Sequence, residues 1–274
     1  NRRVTWLRVN TLKVDLDKAI RLLEDEGIEF IQSRQYPFML MVKDYRRPMG
    51  YLRLFKEGAV VPQDLASALV VLNLMPEPGD IIVDACAAPG MKTSLIMQLT
   101  DNKAEVIAVD VSRGRLSKMR SILRRMGVDE SRIHVMRSDS SRLKLSGVRV
   151  DKVLIDAPCT SSGAVSKDPG IKLILANNPG LVKRQSLIQS SILLNLINQV
   201  KDASLIYATC SILPEEGEEV VGRLSSLSSV SLTKPNVGDL SDGYGNYPIS
   251  RMVGRVMPHI HNAEGFFISK ITIN

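Results

Sequence analysis

The chain has 274 residues, with 36 basic and 29 acidic side chains, a formal net charge of +7 and an isoelectric point near 9.4. A hydrophobic fraction of 44% and a charged fraction of 24% exclude an intrinsically disordered chain. No apolar stretch approaches the roughly 20 residues that span a bilayer, so we expect no membrane segment. Three widely spaced cysteines exclude a disulfide framework and favour a reducing compartment, the cytoplasm.

The first fifth of the chain differs from the rest in charge and pattern. Residues 1–58 contain 12 basic and 8 acidic side chains. Trp6–Asn10 and Phe38–Val42 are typical of strands, and the spacing of apolar residues predicts a helix over Asp15–Glu26. We therefore predict a small α/β domain at 1–58 and a larger domain at 59–274.

In the larger domain, short apolar strands alternate with helical segments. This alternation predicts a parallel sheet that is covered by helices on both faces. The predicted strands are Ile81–Asp84, Val106–Asp110, Ile133–Arg137, Lys152–Asp156, Leu205–Ala208 and Phe266–Ile271. The predicted helices are Gln63–Leu74, Lys92–Leu99, Arg113–Met126, Lys183–Val200 and Pro214–Leu224. The serine-rich segment Ser225–Ser231 predicts a surface loop.

Carboxylates and thiols follow the predicted strands where each strand ends. Doubly wound folds bind ligands at this edge, outside the carboxyl ends of the strands. The clustering therefore predicts a functional site. The residues at these positions are Asp84, Asp110, Asp139, Asp156, Cys86, Cys159 and Cys210.

The loop at 84–93 joins the first of these strands to a helix through small residues and Gly90. Such a turn lets a ligand approach the backbone, and Asp110 lies where a second-strand acid binds ribose hydroxyls. The pattern suggests an adenosine cofactor without naming it. A tight turn beside an exposed aspartate is the alternative, since the loop matches neither glycine-rich phosphate-binding signature.

The cysteines have no metal-ligand spacing. Gaps of 73 and 51 residues separate them, and the chain contains three histidines. Zinc sites need closely spaced pairs, so we expect no metal centre. Cys159 and Cys210 instead follow short strands into loops, a position more typical of reactive than of buried structural thiols.

Three segments, taken together, resemble the RNA cytosine-5 methyltransferases of the Nop2/Sun family. They are Asp-Ala-Cys-Ala-Ala-Pro-Gly-Met-Lys-Thr at 84–93, Asp-Ala-Pro-Cys at 156–159 and Tyr-Ala-Thr-Cys-Ser at 207–211. They occur in the family's order, and the resemblance extends from about Arg8 to Ile271. Three separate motifs in order are far more specific than any one of them.

The resemblance implies a Rossmann-like α/β sheet that binds S-adenosyl-L-methionine across its strand ends, with a small N-terminal α/β domain that binds RNA. The family carries a glycine where this chain has Met91, and a side chain there is expected to narrow the pocket or alter the approach of the backbone to the cofactor. By motif position, the cofactor-binding residues are Cys86, Ala87, Ala88, Pro89, Gly90, Met91, Lys92, Asp110, Arg115, Asp139 and Asp156.

The resemblance also implies roles for the two cysteines. Carbon 5 of cytosine is too weak a nucleophile to accept a methyl group unaided, and a thiolate that adds to carbon 6 activates it by covalent catalysis. By resemblance, Cys210 is this nucleophile and Cys159 takes part in the later release of the enzyme from the base. Asp156 is expected to hydrogen-bond the cytosine edge as a general acid.

The expected partner is RNA, either ribosomal or transfer RNA, and the protein is expected to be a monomer. The small domain is the main candidate for RNA binding because it carries Arg2, Arg3, Arg46 and Arg47. The basic helix Arg113–Met126 is equally well explained as a solvated face. Lys167 and Lys172 are either phosphate contacts or plain loop charges. His259 and His261 either face the substrate or pack beside Phe266 and Phe267.

Two other functions fit parts of the sequence. A dinucleotide-dependent oxidoreductase would use the same sheet, with Asp110 on the ribose, but it leaves the Cys159 and Cys210 pair unexplained and lacks the glycine fingerprint. A non-catalytic RNA-binding member of the family would keep the fold, although it would not need both cysteines.

Overall fold

A computed structural model describes residues 4–45 and 49–274. The strands are Thr5–Val9 (β1), Ile28–Gln32 (β2), Met39–Tyr45 (β3), Val60–Pro62 (β4), Ile81–Asp84 (β5), Glu105–Asp110 (β6), Ile133–Arg137 (β7), Lys152–Asp156 (β8), Ala203–Thr209 (β9), Val230–Thr233 (β10), Gly254–Val256 (β11) and Phe266–Ile273 (β12). The α-helices are Leu16–Asp25 (α1), Arg53–Lys56 (α2), Leu65–Leu74 (α3), Met91–Leu99 (α4), Arg113–Arg125 (α5), Gly170–Ala176 (α6), Leu181–Ile197 (α7), Glu218–Gly222 (α8) and Pro258–His261 (α9).

The large sheet has the strand order β7-β6-β5-β8-β9-β12-β10, and β11 pairs with β12. The strands from β7 to β9 are parallel, whereas β12 runs antiparallel to β9 and pairs with it along its length. The prediction of a parallel sheet is therefore wrong at this edge. An apolar run such as Phe266–Ile271 identifies a buried strand, but its side chains do not encode the strand's direction.

Two apolar cores cover the two faces of the large sheet. One core contains Leu69 of α3, Leu95 of α4 and Met119 of α5. The other contains Leu193 of α7 and Val220 of α8. Because both faces are covered, the central strands are almost wholly apolar until the residue at which each one ends.

The small sheet is antiparallel, with the order β2-β3-β1-β4. Its helix α1 begins at the N-cap Asp15, whose carboxylate accepts a hydrogen bond from the Lys18 amide. Strand β4, at Val60–Pro62, pairs with β1 and lies beyond residue 58, the last residue of the predicted small domain. The small sheet therefore includes residues beyond the predicted boundary. The boundary was placed too early because no change in hydrophobic pattern marks the residue at which the chain leaves this sheet.

The small sheet is joined to the large domain by an apolar contact and by buried hydrogen bonds. Trp6 and Met39 belong to the same core as the helices of the large domain. The hydrogen bonds run from Trp6 Nε1 to the Asn262 carbonyl (2.8 Å), from Arg8 Nη2 to Ser94 Oγ (2.7 Å), from Gln98 Nε2 to the Val9 carbonyl (3.1 Å) and from Asn10 Nδ2 to the Met126 carbonyl (2.7 Å). Two of these bonds attach β1 directly to α4.

Across the described residues, every helix is too short or too polar to span a bilayer.

Candidate active site

The strand ends meet around an open cleft of about 690 Å³. The cleft lies at the carboxyl edge of the sheet between β5 and β8, where the order of strands changes direction. The structure therefore brings together residues that are far apart in the sequence. The predicted site residues that line the cleft are Cys86, Ala88, Asp110, Arg115, Asp139, Asp156, Cys159 and Cys210.

Of the remaining residues of the predicted cofactor loop, Ala87, Gly90 and Lys92 are buried, Met91 is half-buried and Pro89 is exposed. Gly90 has a φ of 100° and packs closely on α5, so that a Cβ atom there would lie 2.7 Å from Cγ of Met119. Only glycine fits this backbone without strain. The described residues that line the cleft do not include Ala87, Pro89, Gly90, Met91 or Lys92.

The side chain of Met91 does not enter the cleft. Met91 is the first residue of α4, and its half-buried side chain packs against the apolar core on that face of the sheet. Met91 is therefore not among the residues that narrow the cleft. The other expected effect, an altered approach of the backbone to the cofactor, stays a prediction.

Asp110 and Arg115 form one side of the cleft. The Asp110 carboxylate accepts a hydrogen bond from the Ser112 amide (2.9 Å) and forms an ion pair with Arg115 (3.2 Å). Arg115 also donates to the Ala88 carbonyl and so ties α5 to the loop after β5. The remaining lone pairs of a carboxylate held in this way can still accept hydrogen bonds from ligand hydroxyls.

Asp139 presents a fixed negative charge to the cleft. Its carboxylate accepts hydrogen bonds from the hydroxyl and the amide of Ser141, at 2.7 and 2.9 Å. These bonds, the hydroxyl first, hold the pKa of Asp139 below its usual value. The group is therefore an acceptor throughout the physiological range.

Cys159 and Cys210 face each other at the ends of the neighbouring strands β8 and β9. Their sulfur atoms are 2.9 Å apart, and Ser161 Oγ lies 3.4 Å from the Cys210 sulfur. The hydrogen bond from Cys159, with the nearby Ser161 hydroxyl and Lys92 ammonium, lowers the pKa of Cys210, whereas the same bond and burial raise that of Cys159. Of the two thiols, Cys210 therefore gives up its proton more readily and Cys159 less readily than an ordinary cysteine.

Lys92 forms an ion pair with Asp156 next to the sulfur atoms. Lys92 Nζ lies 2.6 Å from Oδ2 of Asp156 and 5.5 Å from the centroid of the Phe266 ring. Burial by itself would lower the pKa of Lys92, but the Asp156 carboxylate more than offsets this effect and the pKa is raised. Lys92 is therefore a cation that is held next to Asp156, and the cofactor contact expected of it stays a prediction.

Asp84 lies next to the cleft but does not line it. It is fully buried at the end of β5 and accepts a hydrogen bond from the Thr93 hydroxyl (2.7 Å). Burial raises its pKa to about 7. Its second oxygen has no partner among the described residues.

Glu216 is a site residue that the sequence motifs did not reveal. Its buried carboxylate accepts hydrogen bonds from the amide and hydroxyl of Thr160 and from Nε2 of Gln189 (3.1 Å), while its carbonyl accepts one from Tyr207. It fixes the loop that carries Cys159. The signal was present in Pro214-Glu215-Glu216, but acids after a proline are equally typical of an ordinary helix start.

Gln185 was also missed. It lines the cleft from α7, one turn before Gln189, whose Nε2 donates to the Pro158 carbonyl (2.8 Å). This places Gln185 at the same end of the cleft as Cys159. Its Oε1 atom is buried and has no hydrogen-bond partner in the described part of the chain. An acceptor in this state is completed by a ligand that donates a hydrogen bond.

The other residues singled out in the sequence lie outside the cleft. Lys167 forms ion pairs with Glu264 (2.5 Å) and Asp64 (3.3 Å), and the exposed Lys172 begins a basic surface described below. His261 bonds to the backbone of Met257 and Asp239. Arg2, Arg3, Arg46 and Arg47 lie outside the described residues. Within the described ranges, no group of three or more His, Cys, Asp or Glu side chains could hold a metal ion.

The strand order and the position of the cleft define a Rossmann-like methyltransferase fold. Comparison with known proteins supports this class. A solved structure of a methyltransferase homologue from Pyrococcus horikoshii superposes with a TM-score of 0.86 at 28% identity, and covers 100% of this chain and 88% of that one.

The chain belongs to the family described as 16S rRNA methyltransferase RsmB/F, whose model matches residues 71–272. This confirms the resemblance to the Nop2/Sun proteins. A 26S rRNA (cytosine-C(5))-methyltransferase, nsun-1 of Caenorhabditis elegans, is 31% identical over 99% of this chain and 42% of its own length. A tRNA (cytosine(72)-C(5))-methyltransferase of Pyrococcus horikoshii is 33% identical over 81% of this chain and 54% of its own. The chain thus spans about half the length of these curated relatives.

Proposed function

We propose that the protein transfers a methyl group from S-adenosyl-L-methionine to carbon 5 of a cytosine in RNA. The observation that carries the proposal is the pair of sulfur atoms, Cys159 and Cys210, 2.9 Å apart in the cleft beside Asp156. Family membership supports it, as do the activities in the relatives' names. A site that only binds a ligand at the strand ends would not need two neighbouring thiols whose pKa values are shifted in opposite directions.

The lining of the cleft fits this cofactor. S-adenosyl-L-methionine supplies an electrophilic methyl group on a sulfonium cation, and the carboxylates Asp110, Asp139 and Asp156 give the cleft the complementary charge. Asp110 is placed to accept hydrogen bonds from ribose hydroxyls. A dinucleotide site on this sheet would carry a glycine-rich fingerprint before the first helix, and the loop at 84–93 lacks it. Hydride transfer would also leave the two thiols in the cleft without a role, so the lining favours the methyltransferase over the oxidoreductase.

Cys210 acts as the nucleophile. Its thiolate adds to carbon 6 of the cytosine, and the electron pair displaced from the C5–C6 double bond makes carbon 5 reactive towards the methyl group. Asp156 holds the edge of the base and favours the charge that develops on it. Lys92 keeps Asp156 in place through the 2.6 Å ion pair.

Cys159 acts after the transfer. Water in the open cleft takes the proton from carbon 5, the electron pair of the C5–H bond restores the C5–C6 double bond, and the C6–S bond breaks with its electron pair going to the sulfur of Cys210. Cys159 is the group nearest to the departing sulfur, and its thiol hydrogen bond stabilises the Cys210 thiolate as it leaves. Glu216 positions Cys159 for this step through Thr160.

The relatives named above act on ribosomal and on transfer RNA, and the proposal extends to RNA as the substrate of this chain without choosing between the two. The target base must leave its stack to reach Cys210. RNA binding by the small domain, the monomeric state and the location in the cytoplasm stay predictions.

Two measurements test the function. Calorimetric titration with S-adenosyl-L-methionine is expected to show binding, and titration with NAD is expected to show none. Bisulfite sequencing of total RNA from cells with and without the gene is expected to reveal a cytosine that is methylated only when the gene is present. NAD binding without S-adenosyl-L-methionine binding would contradict the proposal.

A further inference from the structure

Helices α6 and α7 belong to a segment without acidic side chains. Residues 169–201 contain Lys172, Lys183, Arg184 and Lys201 and no Asp or Glu. Lys172 and Lys183 are exposed and form no ion pair with any residue in the described ranges. In a chain with 29 acidic residues, this stretch carries positive charge only, and Lys172 and Lys183 lie at its end nearest the cleft residues of α7.

The same segment exposes large apolar side chains. Leu173 and Ile174 on α6 are 68% and 54% exposed, and Leu187 and Ile188 on α7 are also exposed. The inward face of α6 is occupied by the buried Ile171, so Leu173 and Ile174 are not needed to hold the helix on the domain. We call these four side chains the apolar edge.

Half of the apolar edge lies in the catalytic cleft. Leu187 and Ile188 on α7 line the cleft together with Cys159 and Cys210. Helix α6, which carries Leu173 and Ile174, packs against the turn at Ser162–Ala164, in which the Gly163 amide donates to the Cys210 carbonyl (3.0 Å). Both helices are thus anchored next to the catalytic cysteines.

We infer that the apolar edge, with Lys172 and Lys183, is the docking surface for the single-stranded RNA that flanks the target cytosine. The inference rests on the proposed function, because it takes RNA as the substrate. The lysines contact phosphates, and Leu173 and Ile174 pack against bases that have left the stack. Leucine and isoleucine serve as wedges of this kind in proteins that unstack bases.

The composition of the surface favours RNA over a protein partner. Protein interfaces are depleted of lysine at their centres, whereas nucleic-acid surfaces combine lysine with side chains that pack on bases. The apolar edge is close to Lys172 and Lys183 in the sequence, and its two residues on α7 line the cleft that contains Cys159 and Cys210. A second protein seated there would also close this side of the cleft.

The lysines are tested with the 274-residue chain and a fluorescein-labelled single-stranded RNA of about 12 nucleotides that contains one cytosine, a length within the site sizes of single-strand binders. Fluorescence anisotropy at several salt concentrations gives the affinity and its salt dependence. We expect Lys172→Glu/Lys183→Glu to bind at least about tenfold more weakly, with a salt slope smaller by about 1.4, since each lost phosphate contact on a single strand removes about 0.7. The matched control is Lys144→Glu/Lys201→Glu, which makes the same charge change near the C-terminal end of α7, where the Leu145 amide donates to Gln199 and none of the described residues lines the cleft. It is expected to bind within about twofold of the wild type.

The apolar side chains are tested in the same assay. Leu173→Ser/Ile174→Ser is expected to weaken binding by roughly three- to tenfold without changing the salt slope, because no charge is removed. Val148→Ser, an exposed position in the loop before β8, is the control and is expected to bind as the wild type does. All variants are expected to bind S-adenosyl-L-methionine as the wild type does, which shows that they are folded.

The binding measurements distinguish a wrong docking surface from a wrong function. If the wild-type chain does not bind S-adenosyl-L-methionine, the proposed function fails. If it binds S-adenosyl-L-methionine but the apolar-edge and lysine variants bind the RNA as the wild type does, the docking surface is wrong and the function stands. If the serine variant only abolishes a concentration-dependent self-association, the surface is a protein interface and the inference is overturned.

Discussion

The sulfur of Cys159 lies 2.9 Å from the sulfur of Cys210, and the two residues follow adjacent parallel strands. The hydrogen bond between them is asymmetric, since it lowers the pKa of one thiol and raises that of the other. The two thiols therefore differ in acidity because their surroundings differ.

The first prediction concerns the fate of the covalent adduct. Cys210→Ala removes the nucleophile and is expected to abolish methyl transfer from tritiated S-adenosyl-L-methionine. Cys159→Ala leaves the nucleophile but slows its release, so protein and RNA are expected to stay linked in a band that survives denaturing electrophoresis. The assignment is reversed if Cys210→Ala gives the linked band and Cys159→Ala does not.

The second prediction concerns pH. Because the pKa of Cys210 is lowered, its thiolate is expected to persist to lower pH than that of a free cysteine, whose pKa is about 8.5. The pH midpoint for alkylation of Cys210 by iodoacetamide, followed by mass spectrometry in a Cys86→Ala background, is expected to lie below that value. Cys159→Ala removes the hydrogen-bond donor and is expected to move the midpoint upwards. An unchanged midpoint would show that the bond does not stabilise the thiolate.

The third prediction concerns Glu216. Glu216→Ala leaves the amide and hydroxyl of Thr160 without their acceptor inside the protein, while Gln189 Nε2 keeps only its bond to the Pro158 carbonyl. We expect the free energy of unfolding in urea to fall by about 2–4 kcal/mol. Glu57→Ala removes an exposed carboxylate that forms only a surface ion pair with Arg53, and it is expected to change stability by less than about 0.5 kcal/mol. Equal effects of the two variants would contradict the role assigned to Glu216.

The fourth prediction concerns two glycines with opposite environments. Gly90→Ala forces a side chain onto a backbone with a φ of 100° and against Met119, and we expect it to destabilise the protein by about 1–3 kcal/mol. Gly114 lies in helix α5, and no atom lies within 4 Å of the place that a Cβ would take there. Gly114→Ala is therefore expected to stabilise the protein by about 0.5–1 kcal/mol. Urea denaturation of both variants gives the comparison.

The buried strands of the large sheet were predictable because their apolar runs are continuous. The predicted bounds of Ile81–Asp84, Ile133–Arg137 and Lys152–Asp156 match β5, β7 and β8. Edge elements were not predictable in this way. β10 begins within the serine-rich Ser225–Ser231, which we expected to be a loop, because an edge strand needs little apolar surface.

Several residues that line the cleft were predictable, but Glu216, Gln185 and the pairings between side chains were not. Motif order identified Asp156, Cys159 and Cys210, and the strand ends bring them into one cleft. The ion pair between Lys92 and Asp156 joins residues 64 positions apart, and no local pattern encodes such a contact. The packing of Met91 into the core depends equally on tertiary structure.

The polar contacts of β1 bear on which nucleotide is modified. Arg8 and the Val9 carbonyl attach the small sheet to α4, the helix that follows the loop bordering the cleft. These bonds fix where the small sheet lies relative to α4. On the prediction that the small sheet binds RNA, they also set the span between the bound RNA and the Cys210 sulfur, and that span would decide which cytosine along the strand is methylated.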